Sequence, residues 1–197
     1  MTSSGMFEIR PDRSGPKNLG VLLVLGSLMV LAYGYADWNS HHVGLSDEEA
    51  ETFILNPGLT GDEDITVADY RAFEDEAREN SAFLIRAVSL LAGGLLVLVG
   101  GVFLLRLKRL GAYMCVAGAG LGLIGGVTGS LMIRTSARAH LGEALTLTYE
   151  IWVYICGAMM GLCLAMAALP LLNLRARMAL EPLRLVQSED SVPIEDE

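Results

Sequence analysis

Three cysteines are few for 197 residues, and Cys115, Cys156 and Cys163 all fall inside long apolar runs, which excludes a disulfide framework in the connecting loops. No Asn-x-Ser/Thr acceptor occurs, which favours a bacterial or archaeal cytoplasmic membrane over a eukaryotic cell surface. His-Glu-x-x-His, Gly-x-Ser-x-Gly, P-loop and dinucleotide fingerprints are also missing. Asp, Glu, Lys and His are absent from the middle of every apolar run, and Arg86 lies only a few residues from an edge. Proton relays, ion-coupled pumps and intramembrane enzymes keep ionisable groups at depth because their chemistry needs them there. The expectation is therefore a non-enzymatic protein, with no catalytic residue to nominate.

What the chain does have is apolar length. Hydrophobic residues make up 52% of it, concentrated in runs over 19–36, 83–105, 111–133 and 151–174. Each approaches or exceeds the roughly 20 residues that a helix needs to cross about 30 Å of hydrocarbon. None contains an acidic residue. The expected fold is all-α, a four-helix transmembrane bundle with an extracytoplasmic helix-loop-helix between spans one and two. Nine Lys/Arg (Arg10, Arg13, Lys17, Arg106, Lys108, Arg109, Arg175, Arg177, Arg184) flank one side of the spans, against Arg71, Arg78, Arg134 and Arg138 on the other. The basic side should be cytoplasmic. This places both termini inside, with 1–18 a flexible tail and 175–197 a tail that ends in disorder, and residues 37–82 and 134–150 outside. Gly34 and Ala36 ahead of Asp37 also have the outline of a signal cleavage site; the length of the apolar run favours a retained anchor.

The acidity belongs to one segment. Residues 37–82 hold thirteen carboxylates against Arg71 and Arg78, a formal charge of −11 in a chain whose total is −9. Within it, Ser46-Asp-Glu-Glu49 is a capping box, predicting a short helix from Asp47 to about Leu55 that Asn56-Pro57-Gly58 stops. A second start at Thr66, with Asp69 three residues on, leads into Val67, Tyr70, Phe73, Ala77 and Leu84 at helical spacing. With no Gly or Pro before Ala92, the run reads as one long helix continuous with span two, carrying Arg71–Asp75 and Glu74–Arg78 as i, i+4 pairs.

Glycine marks the packing. Gly118, Gly122, Gly125, Gly126 and Gly129 in the third span, and Gly157 with Gly161 in the fourth, have the small-xxx-small spacing that lets helix backbones approach closely in lipid. The third span is expected at the centre of the bundle. Arg86, Arg134, Arg138 and His140 lie on the same side as the acidic segment and are candidates for a latch that holds it to the bundle.

Three constellations carry possible ligands. Asp62-x-Asp64-Ile65-Thr66-x-x-Asp69 resembles the second half of an EF-hand or dockerin-type calcium loop, which implies Asp62, Asp64, Thr66 and Asp69 as calcium ligands. Gly58 and Thr60 stand where that pattern places carboxylates, and Glu63 replaces its turn glycine, so no cofactor is expected. His41-His42 point apart in a helix or strand and cannot chelate one ion together, while Asp37 with His41 makes only two ligands. Cys156 and Cys163, near Met159, Met160 and Met166, are soft ligands suited to Cu(I), or ordinary packing residues.

The layout is similar to tetraspan membrane proteins in outline only, without the paired outer cysteines of claudin-like or tetraspanin-like families. The expected partners are the lipid bilayer and either a protein partner or a second copy, bound through the spans or the outer segment. No nucleic acid is expected. The preferred function is an assembly, adaptor or accessory subunit; the alternative is a small transporter or channel subunit whose acidic cap attracts cations.

Overall fold

The computed structural model describes residues 14–55 and 65–180. Seven helices are described: α1 Ser14–His42, α2 Asp47–Ile54, α3 Val67–Glu79, α4 Ala82–Leu105, α5 Arg109–His140, α6 Glu143–Leu172 and α7 Leu174–Leu180. The described residues contain no strand. Helices α1, α4, α5 and α6 are long and apolar enough to cross a membrane, at 29, 24, 32 and 30 residues. Their outward faces carry exposed Leu22, Leu25, Ile124 and Leu162, which lipid solvates at no cost. The fold is the expected all-α four-helix membrane bundle, with α2 and α3 forming a cap at one end.

Several boundaries differ from expectation for identifiable reasons. Span one was expected to end at 36, but α1 runs on to His42 because nothing breaks it before Gly44, whose φ of 75° turns the chain. Within 134–150, α5 continues to His140 and α6 begins at Glu143, so only Leu141 and Gly142 link the two helices. The single helix expected from Val67 into span two is two helices. Asn80 caps α3, and Ser81 sits in the left-handed region at φ 56° before α4 starts. A straight extension would hold Tyr70, Phe73 and Ala77 away from any apolar surface. The break lets α3 lie over the end of the bundle and bury them, a gain that outweighs the roughly 1–2 kcal/mol of left-handed backbone at one residue.

In the bundle α1 packs on α4, α4 on α5 and α5 on α6, so α4 shares with α5 the central place expected for span three alone. Backbone contact between the central pair is direct. A Cβ on Gly93 would lie 2.6 Å from the Gly118 carbonyl oxygen, and one on Gly111 would lie 2.5 Å from that of Gly100. Helices α1 and α6 touch only lightly; near the cap the Tyr33 and Trp152 rings stand 6.4 Å apart. Between them lies a void of about 10 Å³ lined by Ser27, Val30, Gly93, Gly94, Val97, Met160 and Cys163.

Candidate functional site

Two features concentrate polar chemistry: the cap and the ion pair beneath it. The cap starts from two capping boxes. Ser46 Oγ accepts from the Glu49 backbone N–H at 3.3 Å, and the Glu49 carboxylate accepts from the Ser46 N–H at 2.8 Å. Thr66 and Asp69 repeat the arrangement at 3.2 and 3.0 Å. The Ser46 backbone and hydroxyl donors hold the Glu49 carboxyl below its ordinary value, and the Thr66 hydroxyl and backbone do the same for Asp69.

A lowered carboxyl pKa in the folded state stabilises fully above the ordinary value, and the effect fades as pH falls through the lowered one. The starts of α2 and α3 are therefore expected to fray as pH drops below 4.5 for the glutamate and 3.8 for the aspartate. Amide NMR of the cap should show this acid response at α2 lost in Glu49→Gln and at α3 lost in Asp69→Asn. Fraying that persists unchanged in both variants would contradict it.

Glu74 is the polar hub of the cap, and its position was not anticipated. It is buried, accepts from the Leu45 backbone N–H at 3.3 Å, and pairs with Arg71 at 2.7 Å and Arg78 at 3.7 Å. The expected Glu74–Arg78 pair is present. Arg71, expected to reach Asp75, instead turns to Asp47 of α2 at 2.6 Å and ties the two cap helices together. Arg78 also donates to the Ser40 carbonyl at 3.1 Å, which anchors α3 to the end of α1. Beside this hub the Tyr70 phenol bonds Tyr149; burial, and then the Glu74 charge, push Tyr70 up to about 12, so it stays neutral as a hydrogen-bonding group.

The apolar side of the cap is a continuous core. Ala50, Tyr70, Phe73 and Ala77 pack with Ala82, Phe83, Ile133, Ala137, Leu141 and Leu145 from the ends of α4, α5 and α6. The Phe73 ring is fully buried among Tyr70, Phe83 and Tyr149, with centroids 5.1–6.4 Å away.

Just below, Arg86 of α4 binds both carboxylate oxygens of Asp37 on α1, and its third nitrogen donates to Ser130 Oγ of α5 at 3.4 Å. Asp37 is only 7% exposed. The Cys156 thiol of α6 lies against Ser130 and within the field of this pair. Four spans thus converge on one charge-paired cluster near the cap end.

The four latch candidates divide into two that meet the acidic segment and two that do not. His140 does meet the cap, at 2.5 Å from Glu76, and Arg86 binds Asp37. Arg134 and Arg138 do not reach the cap helices; both turn to Glu150 on the neighbouring α6, at 2.6 and 3.4 Å. The short Leu141-Gly142 link brings that carboxylate closer than any in the cap. Reversing both arginines to glutamate is accordingly expected to loosen the α5–α6 corner while leaving cleavage of residues 47–55 by added protease unchanged. Faster cleavage there would restore the original latch.

The remaining candidates are placed as follows. Asp62 and Asp64 lie outside the described residues, as does Asn56-Pro57-Gly58; the Asp69 carboxylate is engaged by Thr66 at the start of α3. Among the described residues no group of three or more His, Cys, Asp and Glu side chains could hold a metal ion. His42 stacks on Trp38, and Asp37, the partner considered for His41, belongs to Arg86. Cys156 and Cys163 are separated by seven residues of helix, about 10 Å along the axis, too far for a shared ion. Gly118 meets Gly93, Gly122 faces Met160, Gly125 faces Ser89, Gly126 faces Leu90 and Cys156, and Gly129 faces Ala82 and Arg86. Gly157 touches Val127, and among the described residues nothing lies within 4 Å of a Cβ at Gly161, so no described helix packs on Gly161.

A lone Asp and a lone Arg, each near the same end of adjacent apolar runs, were the available signal for the Asp37–Arg86 pair. Compared with known protein families, curated proteins and solved structures, the chain matches none.

Proposed function

We propose that the chain is a non-enzymatic assembly or adaptor subunit of a cytoplasmic membrane, with its cap outside, both termini inside, and the cap as the surface that meets a protein partner. The observation that carries this reading is the core around Phe73, which fastens α2 and α3 to three spans and so presents a fixed surface. A preformed surface loses less conformational freedom on binding than a flexible loop. That surface is acidic: Asp47 and Asp75 side chains are 86% and 75% exposed, and Glu48, Glu51 and Glu79 also face solvent. The closeness of Gly93 to Gly118, and of Met160 to Gly122, fills the interior where the alternative transport reading needs a path.

Crosslinking with mass spectrometry on protein taken from its own membrane into nanodiscs tests the proposal. Reproducible crosslinks from residues 47–79 to one other protein support it. Crosslinks confined to symmetric contacts between copies through the spans, together with ion flux in vesicles, would replace it with the channel reading.

A further inference from the structure

The end of the bundle opposite the cap carries a second surface. Lys17 at the start of α1, Arg106, Lys108 and Arg109 at the α4–α5 turn, and Arg175 and Arg177 on α7 bring six cations there.

The arrangement is built as well as charged. Helix α7 does not trail away from α6. Leu180, 2% exposed, joins a core with Leu104, Ala112 and Ala167, and Leu107 packs against it. Ala176 is buried too, so α7 packs back against this end of the bundle. At the turn itself, Lys108 sits over the Phe103 ring at 5.5 Å, and Arg109 sits over the Tyr113 ring at 5.6 Å while donating to its hydroxyl at 3.0 Å. These aromatic contacts hold cationic heads at the membrane boundary instead of leaving them to sweep through solvent.

Beside the arginines, Leu172, Leu174 and Met178 are exposed, at 79%, 58% and 41%. A short helix that alternates exposed apolar and cationic side chains at this depth suits the boundary between acyl chains and headgroups. We infer that this end of the protein is a docking surface for anionic phospholipid, whose headgroup phosphates are held by the α4–α5 turn and the α7 arginines while α7 lies in the interface. Acidic proteins share the charge but offer no acyl layer for the three exposed apolar residues, and juxtamembrane cation clusters recognise anionic leaflets in this way.

The full-length protein in nanodiscs tests the inference without reference to which leaflet faces which compartment. In discs mixing phosphatidylcholine with phosphatidylglycerol, native mass spectrometry should find phosphatidylglycerol retained several-fold over its share of the bilayer, with high salt reducing the excess. Arg175→Gln/Arg177→Gln should lose most of that excess while keeping the wild-type thermal midpoint in discs of phosphatidylcholine alone. Because those residues follow the last span, the substitution leaves insertion of the preceding helices intact. Should the variant misfold, the wild-type salt and lipid comparison still decides the matter. Equal retention of the two lipids, an excess untouched by the double substitution, or stabilisation by inorganic phosphate equal to that by phosphatidylglycerol would each overturn the assignment.

Discussion

Replacing Arg86 with alanine is expected to destabilise the folded protein by about 3–5 kcal/mol, because it strands a charge that cannot reach water. The Asp37 carboxylate is 7% exposed and takes both of its charged hydrogen bonds from Arg86. Ser130 bonds the guanidinium and not the carboxylate, so it offers no substitute. Removing the carboxylate in Asp37→Ala leaves the mirror problem, a guanidinium whose remaining hydrogen-bond partner among the described residues is Ser130. The Asp37→Leu/Arg86→Met double variant removes both charges, keeps much of the volume, and is expected to recover most of the loss, since a well-packed apolar pair often equals a buried ion pair in stability. Reversible unfolding in mixed micelles, followed by helix content, gives the comparison. A single Arg86→Ala as stable as wild type would show that Asp37 finds another route to solvent and that the pair does not fasten α1.

The pair is only half legible in the sequence, because it depends on tertiary contact. Both charges are visible in the sequence, and Arg86 stands there as a latch candidate for the acidic segment, but nothing in the sequence singles out Asp37 as its partner. Only the continuation of α1 past Tyr35 to His42 makes Asp37 a helical side chain buried against α4. The apolar runs and capping boxes, by contrast, were fully legible because they are local: length against bilayer thickness, and a hydroxyl three residues from a carboxylate.

Ser81 was illegible for the opposite reason. No sequence rule demands a left-handed serine inside a helical pattern; the bend exists because the end of the bundle offers α3 an apolar bed of Ile133, Ala137 and Leu145. The partners of Arg134 and Arg138 likewise depended on a link length, two residues, that composition did not reveal. Of the candidate site, then, the cap helices and their outward carboxylates could be read directly, while Glu74 and Glu150, the residues that organise the charges, required the tertiary fold.

Replacing Phe73 with alanine is expected to detach the cap while leaving the bundle below it intact. The ring is fully buried and is the common neighbour of Tyr70, Phe83 and Tyr149, so its loss opens a cavity where cap and bundle meet. Phe→Ala changes at such sites cost about 3–5 kcal/mol. The His140–Glu76 pair, which joins the same two bodies with both side chains 33% exposed, is a partly solvated contact. Surface pairs contribute about 0.2–1 kcal/mol. Since each 1.4 kcal/mol is about tenfold in population, Phe73→Ala should raise the open fraction of the cap by about a hundredfold or more, and His140→Gln by less than about tenfold.

Hydrogen exchange in nanodiscs separates the two bodies directly. In Phe73→Ala, amides of α2 and α3 should lose protection while those in the middle of α4 and α5, closed by the Gly93–Gly118 approach, keep it. The order of the two variants decides what holds the cap. If His140→Gln exposes α3 more than Phe73→Ala does, the cap is held by charge, and the apolar core beneath it is only space filled. If Phe73→Ala also strips protection from mid-span α4 and α5, cap and bundle fold as one cooperative unit, and the cap is not a body that can be detached.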